Sequence, residues 1–300
     1  MRTVWSKADI HVHTTHSDGH AGVEEVLEHA VRRTDLRVIA ITDHNTVEGA
    51  LEARSLAEAY GMEVVVGEEV STADGELLAL FIEQRLPPGL PAAETIDAVH
   101  EQGGLAVAAH PYHWLAPSVG RRDLLRRVSG SDPEWPLDAI EVFNAGLLLS
   151  RGNRRAVATA VALGLPAVGG SDSHHPKTLG YGHSLFPGRG ARDLRAAIES
   201  GQTYAAGHRW GPIRIAEIMG LIVRRELRDP AKWVRSTKDQ TSPPSLVTAH
   251  APTPGSATDA SLNSCGTGTE QPVQTYVPRI VPPCDAQDAV RPHYRSTRTS

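Results

Sequence analysis

The chain has 300 residues, a formal net charge of −5, 40% hydrophobic and 5% aromatic residues. A mildly acidic total gives no bulk argument for nucleic-acid or membrane-surface binding. It contains no apolar run of about 18 residues, so no transmembrane helix is expected. Both cysteines, Cys265 and Cys284, lie near the C-terminus. An upstream metal site must therefore use nitrogen and oxygen ligands, and no disulfide framework is implied.

The length suits one large domain or two ordinary ones. Met1–Ile10 has no apolar signal-peptide core, so a soluble cytoplasmic protein with no membrane partner is expected. Histidine is the compositional outlier, with 15 residues, 13 of them before Gly211.

The first strand is Asp9–His13, DIHVH. Residues two apart in a strand share a face, so His11 and His13 project together. Asp18 follows in a loop turned by Gly19. Gly22–Thr34 has apolar residues at helical spacing. Arg37–Thr42 is a continuous apolar run of the kind buried on both faces of a parallel sheet, and it ends in Asp43 and His44. Val47–Tyr60 is helical with Gly61 as its stop. Glu63–Val70 is a strand, Ala73-Asp74-Gly75 a hairpin-type turn and Glu76–Ile82 a further strand. Ala92–Gln102 is a helix closed by Gly103-Gly104, and strand Leu105–Ala109 runs into His110-Pro111. A helix around Arg121–Val128 precedes strand Leu137–Phe143, which ends in Asn144. Helix Arg151–Leu163, strand Pro166–Gly170 with Ser171-Asp172-Ser173-His174 behind it, and helix Ala191–Ser200 complete the series.

Seven strands with helices after most of them predict a mostly parallel α/β sheet. Seven units over roughly 200 residues suit a closed, distorted TIM-like (β/α)7 barrel, whose functional site lies at the C-terminal ends of the strands. The chemistry-bearing residues fall at those ends: His11 and His13, His44, Glu68 and Glu69, His110, Asn144, and Asp172 with His174. After about Met219 the composition turns to Ser, Thr, Pro, Gly and Ala, with a weak helical pattern over Leu221–Trp233. A chain of that composition buries too little surface to offset its ordering entropy. The expected organisation is a barrel over residues 1–215 and a low-complexity, disordered tail over 216–300.

Imidazole and carboxylate ligands suit Zn²⁺, Mn²⁺ or Fe²⁺, with Mg²⁺ also open. So many ligands exceed the needs of one ion. Two or three divalent ions, bridged by a carboxylate such as Glu69, are the economical expectation. Adjacent ions clamp the attacking and leaving oxygens in phosphoryl displacement and lower the pKa of a shared water.

The segments DIHVHTTHSDG, AITDHNT, VGEEVS, AAHP, EVFN and GGSDSH occur in this order, and the set resembles the PHP (polymerase and histidinol phosphatase) family of metal-dependent phosphoesterases. The resemblance covers Ala8 to about His183, with a weaker echo through Trp210. It implies a distorted seven-stranded β/α barrel holding a trinuclear metal cluster. Its motifs imply His11, His13, Asp18, His44, Glu69, His110, Asp172 and His174 as ligands, with Glu69 rather than Glu68 as bridge. For a further ligand, Asn144 is the first candidate and Glu141 the second. Relatives often carry a histidine in the strand read here as ELLALFI, where this chain has Leu77 and Leu78.

His16, His20, His29, His100, His113, His175, His183 and His250 are read as packing or surface residues, His16 remaining open as a support for the ligands. Arg151, and more weakly Lys177, Arg189, His208 and Arg209, are candidates for a substrate phosphate. Trp114 and Trp135 lie in the segment 112–136, which reads as a substrate wall. The expected activity is metal-dependent phosphate-ester hydrolysis by a metal-bridged hydroxide, with Asp172 and His174 as catalytic residues. The expected substrate is a nucleotide or short oligonucleotide. The alternatives are a histidinol phosphate or sugar-phosphate phosphatase, a 5′–3′ RNA exonuclease, an amidohydrolase and a non-catalytic metal-binding domain.

Overall fold

The computed structural model describes residues 3–113, 118, 136–146 and 150–208. The expected helices at 121–128 and 221–233, Trp114, Trp135, Arg209 and the tail from 216 lie outside them.

The described strands are β1 (Trp5–Val12), β2 (Val38–Ile41), β3 (Glu63–Thr72), β4 (Gly75–Leu80), β5 (Leu105–Ala108), β6 (Ala139–Asn144), β7 (Ala167–Gly170), β8 (Gly182–Pro187) and β9 (Tyr204–Gly207). The helices are α1 (Val23–Arg33), α2 (Glu48–Tyr60), α3 (Ala92–Glu101), α4 (Ser150–Leu163) and α5 (Ala191–Glu199). Each expected helix among the described residues is present. Gly61, in the left-handed region at φ +64°, ends α2 as expected and donates its N–H to the helix's last turn.

One sheet runs in the order β7-β6-β5-β4-β3-β2-β1-β8-β9. The pairs β1/β2, β2/β3, β5/β6 and β6/β7 are parallel. β4 is antiparallel to both neighbours, and β8 and β9 are antiparallel additions beside β1. The sheet nearly closes into a barrel. After β7, Ser173 bridges to Val12, and His13 N–H donates to Ser173 O at 2.9 Å. The Ser184 hydroxyl of β8 meets the Gly169 N–H of β7 at 2.9 Å.

Where seven strands are expected, the described residues form nine. Gly182–Pro187 and Tyr204–Gly207 are short and bounded by glycine and proline, so they carry no long apolar run. They form because the open flank of β1 offers unpaired backbone groups.

Side-chain alternation divides the core in two. Val38 and Ala40 of β2, Val65 of β3, Leu78 and Leu80 of β4, and Val107 of β5 fill the barrel. Ile39, Ile41, Val66, Leu77, Ala79 and Ala106 face outward, against Val26 and Leu27 of α1, Ala50 and Ala53 of α2 and Ile96 of α3. Leu194, Ala197 and Ile198 of α5 join the inner cluster, so α5 closes the end of the barrel opposite the mouth. Burying such side chains contributes about 1.5–3 kcal/mol each.

Pairing of β1 with β2 shifts between Asp9 and Val12. Ala8 and Ile10 belong to the inner cluster and Val12 to the outer one. This change of phase is what an irregular ladder does to side-chain direction. It turns both His11 and His13 inward at the mouth.

Candidate metal centre

Glu69 is the centre of the mouth. It lies on the inward face of β3, in phase with Val65, while Glu68 points the other way. Its Oε1 is 2.9 Å from His110 Nε2. Its Oε2 is 3.2 Å from His11 Nε2 and 3.3 Å from both His13 Nε2 and His44 Nδ1. Four imidazoles from three strand ends, those of β1, β2 and β5, therefore meet one carboxylate that is 1% exposed.

Asp172 adds a second carboxylate. Its Oδ1 lies 3.3 Å from His13 Nε2, 3.5 Å from His174 Nδ1 and 3.6 Å from His11 Nε2. Asp18 adds a third at the rim, with Oδ2 3.2 Å from His174 Nε2 and 3.8 Å from His44 Nε2. All eight residues that the motifs single out are thus brought together. Their ligand atoms fall into sets around His13-Asp18-His44-His174, His11-Glu69-His110 and His11-His13-Asp172.

Hydrogen bonding does not use up these atoms. Among the described residues, His11 Nε2, both ring nitrogens of His13 and His44 Nδ1 are buried and have no hydrogen-bond partner. Stranded buried polar nitrogens are costly. Ligands about 2.0–2.2 Å from a shared ion sit roughly 3–3.5 Å apart, the spacing seen between most of these groups. The donor set of imidazole nitrogen and carboxylate oxygen, without sulfur, fits Zn²⁺, Mn²⁺ or Fe²⁺.

The charges are balanced to match. Burial by itself would raise the Glu69 pKa, but His11 and His44 hold it well below the usual carboxylate range. Burial opposes a charge on His174, yet Asp18 and then Asp172 lift it to about 10. Glu69 does the same for His110, reaching about 9. His13 goes the other way, lowered by burial and by the neighbouring His174.

Several groups around the cluster fix its geometry. Glu141, inward on β6, lies with Oε1 3.2 Å from His11 Nδ1 and accepts the His110 N–H at 2.7 Å through Oε2. It sets the His11 ring so that Nε2 faces the centre. Asn144 donates through Nδ2 to Glu141 at 3.1 Å and to Asp172 at 3.2 Å, which leaves its Oδ1 buried without a partner. Asp43 accepts from Thr14 N–H at 2.7 Å and from the Thr14 and Ser17 hydroxyls, each at 2.6 Å. It pins the loop that carries Asp18. His16 reaches Glu52 at 2.8 Å instead of the cluster.

Glu76 was missed in the sequence. Its Oε1 is 3.7 Å from His44 Nδ1 and its Oε2 3.7 Å from His110 Nε2. Burial and the Glu69 charge raise its pKa to about 7, a penalty that a cation between the two carboxylates would remove. The signal was present. A hairpin turn at Ala73-Asp74-Gly75 makes β4 antiparallel, so the start of β4, rather than its end, faces the mouth.

The phosphate candidates divide. Arg151 is exposed in the first turn of α4, and Lys177 is exposed in the 3₁₀ turn Pro176–Thr178; neither is part of the converging cluster. Arg189 follows β8, whose Pro187 pairs with Trp5, so it lies at the end of the barrel away from the mouth. Arg155 stands 4.5 Å over the Tyr112 ring, close behind His110.

Comparison with known proteins agrees with this geometry. Residues 9–133 match the family model of the PHP domain, and residues 150–203 match the model described as PHP-associated. An uncharacterised protein of Methanocaldococcus jannaschii is 38% identical over 150 residues, 46% of this chain and 82% of that one. A phosphoribosyl 1,2-cyclic phosphate 1,2-diphosphodiesterase of Eggerthella lenta is 44% identical over 85 residues, 26% of this chain and 32% of that one. Among solved structures, a two-domain protein from Bacteroides vulgatus containing a predicted PHP-like metal-dependent phosphoesterase superposes with a TM-score of 0.58 at 20% identity. The match covers 69% of this chain and 66% of that one.

Proposed function

This chain belongs to the PHP family of metal-dependent phosphoesterases, and from that premise we propose that it hydrolyses a phosphate ester of nucleotide size, a mononucleotide or short oligonucleotide, at the Glu69 mouth. The observation that carries the reading is the set of four imidazoles on the two oxygens of Glu69. A purely structural role would not leave so many buried imidazole nitrogens without hydrogen bonds.

His11, His13, His44, His110 and His174, with Asp18, Glu69, Glu76 and Asp172, would hold two or three divalent ions, with Asn144 Oδ1 as a further donor. Bound ions supply Lewis-acid stabilisation of phosphoryl oxygens and a nucleophile at neutral pH. The residues themselves do the positioning. Glu69 holds four imidazoles in one orientation, and Glu141 sets the His11 ring. Asp172 and His174 take the catalytic roles. Asp172 reaches into the centre, whereas His174, with its side chain 29% exposed, stands at the rim with Nε2 against Asp18. With its Nε2 free of metal, His174 would keep there the proton that Asp18 stabilises and would pass it to a leaving oxygen.

The Eggerthella lenta relative is named for a phosphorylated ribose, which supports a small ribose phosphate as substrate and keeps a sugar-phosphate phosphatase as the second reading. Among the described residues no helix is long and apolar enough to cross a membrane.

The test is phosphate release from AMP, a 3′,5′-bisphosphonucleoside, histidinol phosphate and a 5′-phosphorylated RNA dinucleotide. Mn²⁺, Zn²⁺ or Mg²⁺ is added, with Asp172→Asn alongside wild type. Metal-dependent release that disappears in the variant is expected. A folded, metal-loaded protein that releases phosphate from none of them would leave a binding domain as the better reading.

A further inference from the structure

A cavity of about 290 Å³ lies at the opposite end of the barrel from the metal centre. It is lined by Trp5 and Lys7 of β1, Asp35 and Arg37 from the segment entering β2, and Arg189 from the segment leaving β8. Trp5 and His13 are separated by eight residues of extended chain. The two sites are therefore on the order of 25 Å apart.

The lining is basic and partly unsatisfied. Lys7 pairs with Asp35 at 2.7 Å, so these two charges offset one another. Arg37 and Arg189 are exposed, and among the described residues neither guanidinium forms an ion pair. Trp5 presents an indole fixed edge-on by Tyr204, with ring centroids 5.5 Å apart.

We propose that this basal cavity is a second binding site, taking a small phosphorylated compound with a planar ring, of the size of a mononucleotide. Two guanidinium groups match the oxygens of one phosphate in bidentate fashion. The indole provides an aromatic ring for stacking. The volume sits at the small end of the range for small-molecule pockets, which suits a mononucleotide. The site does not depend on the chemistry at the mouth. A ligand bound here leaves the metal centre open.

The experiment is calorimetric titration of the metal-loaded full chain, carrying Asp172→Asn so that AMP is not hydrolysed, with AMP and, separately, with inorganic phosphate. This chain is compared with the same chain carrying Arg37→Ala/Arg189→Ala, and the hydrolytic rate is read with Asp172 restored. The variant should lose one AMP site per chain while keeping its melting temperature and its hydrolytic rate. If the mouth also binds AMP, the count falls from two to one; if the mouth does not, it falls from one to none. The basal site is thus scored independently of the proposed activity. Arg37→Lys/Arg189→Lys should restore part of the affinity. Trp5→Ala, which removes the ring, should weaken AMP at this site by about tenfold, the loss of one stacked base. Equal AMP stoichiometry and affinity with and without the double alanine substitution would overturn the proposal, as would the absence of AMP binding outside the mouth.

Discussion

Glu76 Oε1 lies 3.7 Å from His44 Nδ1, although one residue opens a strand and the other follows the end of one. The antiparallel course of β4 makes this possible. It brings a carboxylate to the mouth from a strand whose far end lies at the bottom of the barrel.

That relationship predicts that Glu76 shares in metal binding. Glu76→Gln should lower metal affinity by about 10- to 100-fold, the loss seen when groups supporting a metal site are removed. The bound-metal content after dialysis against a weak chelator reads this out. Glu68→Gln, on the outer face of the same hairpin, should leave metal content unchanged. Equal metal content in Glu76→Gln and wild type would remove Glu76 from the site.

Gly170 ends β7 where two side chains of the mouth press against it. A Cβ there would come within 2.5 Å of Glu141 Oε1 and 2.6 Å of His11 Cβ. Neither neighbour can retreat, because each is held at the centre. Gly170→Ala should destabilise the fold by about 1–3 kcal/mol, the usual cost of overpacking. It should also weaken metal binding, since relief requires moving His11. A melting curve and a metal titration on the same sample test both parts.

Asp9 is buried and ties β1 to the segment after β7. It accepts the Ser171 N–H at 2.9 Å and the Gly180 N–H at 2.8 Å. Ser171 precedes Asp172, whose φ of +54° is an uncommon backbone state for a residue with a side chain. Asp9→Ala leaves the buried Ser171 donor unsatisfied, at about 1–3 kcal/mol, and frees the part-buried Gly180 donor. It should lower the melting temperature, and it should release Asp172 enough to reduce metal affinity. A loss of stability with unchanged metal affinity would show that Asp172 is held by other contacts.

His183 predicts a pH dependence of stability. Its Nδ1 lies 3.0 Å from Gly180 O, and burial, then Lys7, pushes its pKa from 6.5 down to about 4. Between those values the unfolded chain takes up a proton that the folded chain refuses. Stability therefore falls as pH drops from about 6.5 towards 4. The share from this residue is about 2 kcal/mol at pH 5, from the linkage relation. Denaturant unfolding at pH 7 and pH 5 should show that much less loss in His183→Gln than in wild type.

Much of the mouth was legible before any coordinates. Strand-terminal His11, His13, His44 and His110, with Glu69, Asp172 and His174, stand out because apolar runs and glycine stops mark strand ends clearly. The alternating β/α pattern carried the barrel. Glu69 is separable from Glu68 once β3 is paired, because alternation sends neighbouring side chains to opposite faces.

What the sequence determines by itself is local: which segments are strands, where they stop, and which imidazole and carboxylate side chains stand at the stops. Strand direction, phase and company are decided only in the tertiary structure. The antiparallel setting of β4 brings Glu76 to the mouth. The register shift in β1 turns both His11 and His13 inward, and the free flank of β1 recruits β8 and β9. Each of these depends on backbone hydrogen bonds to a partner distant in the chain, and a residue pattern read along one segment carries no record of that partner.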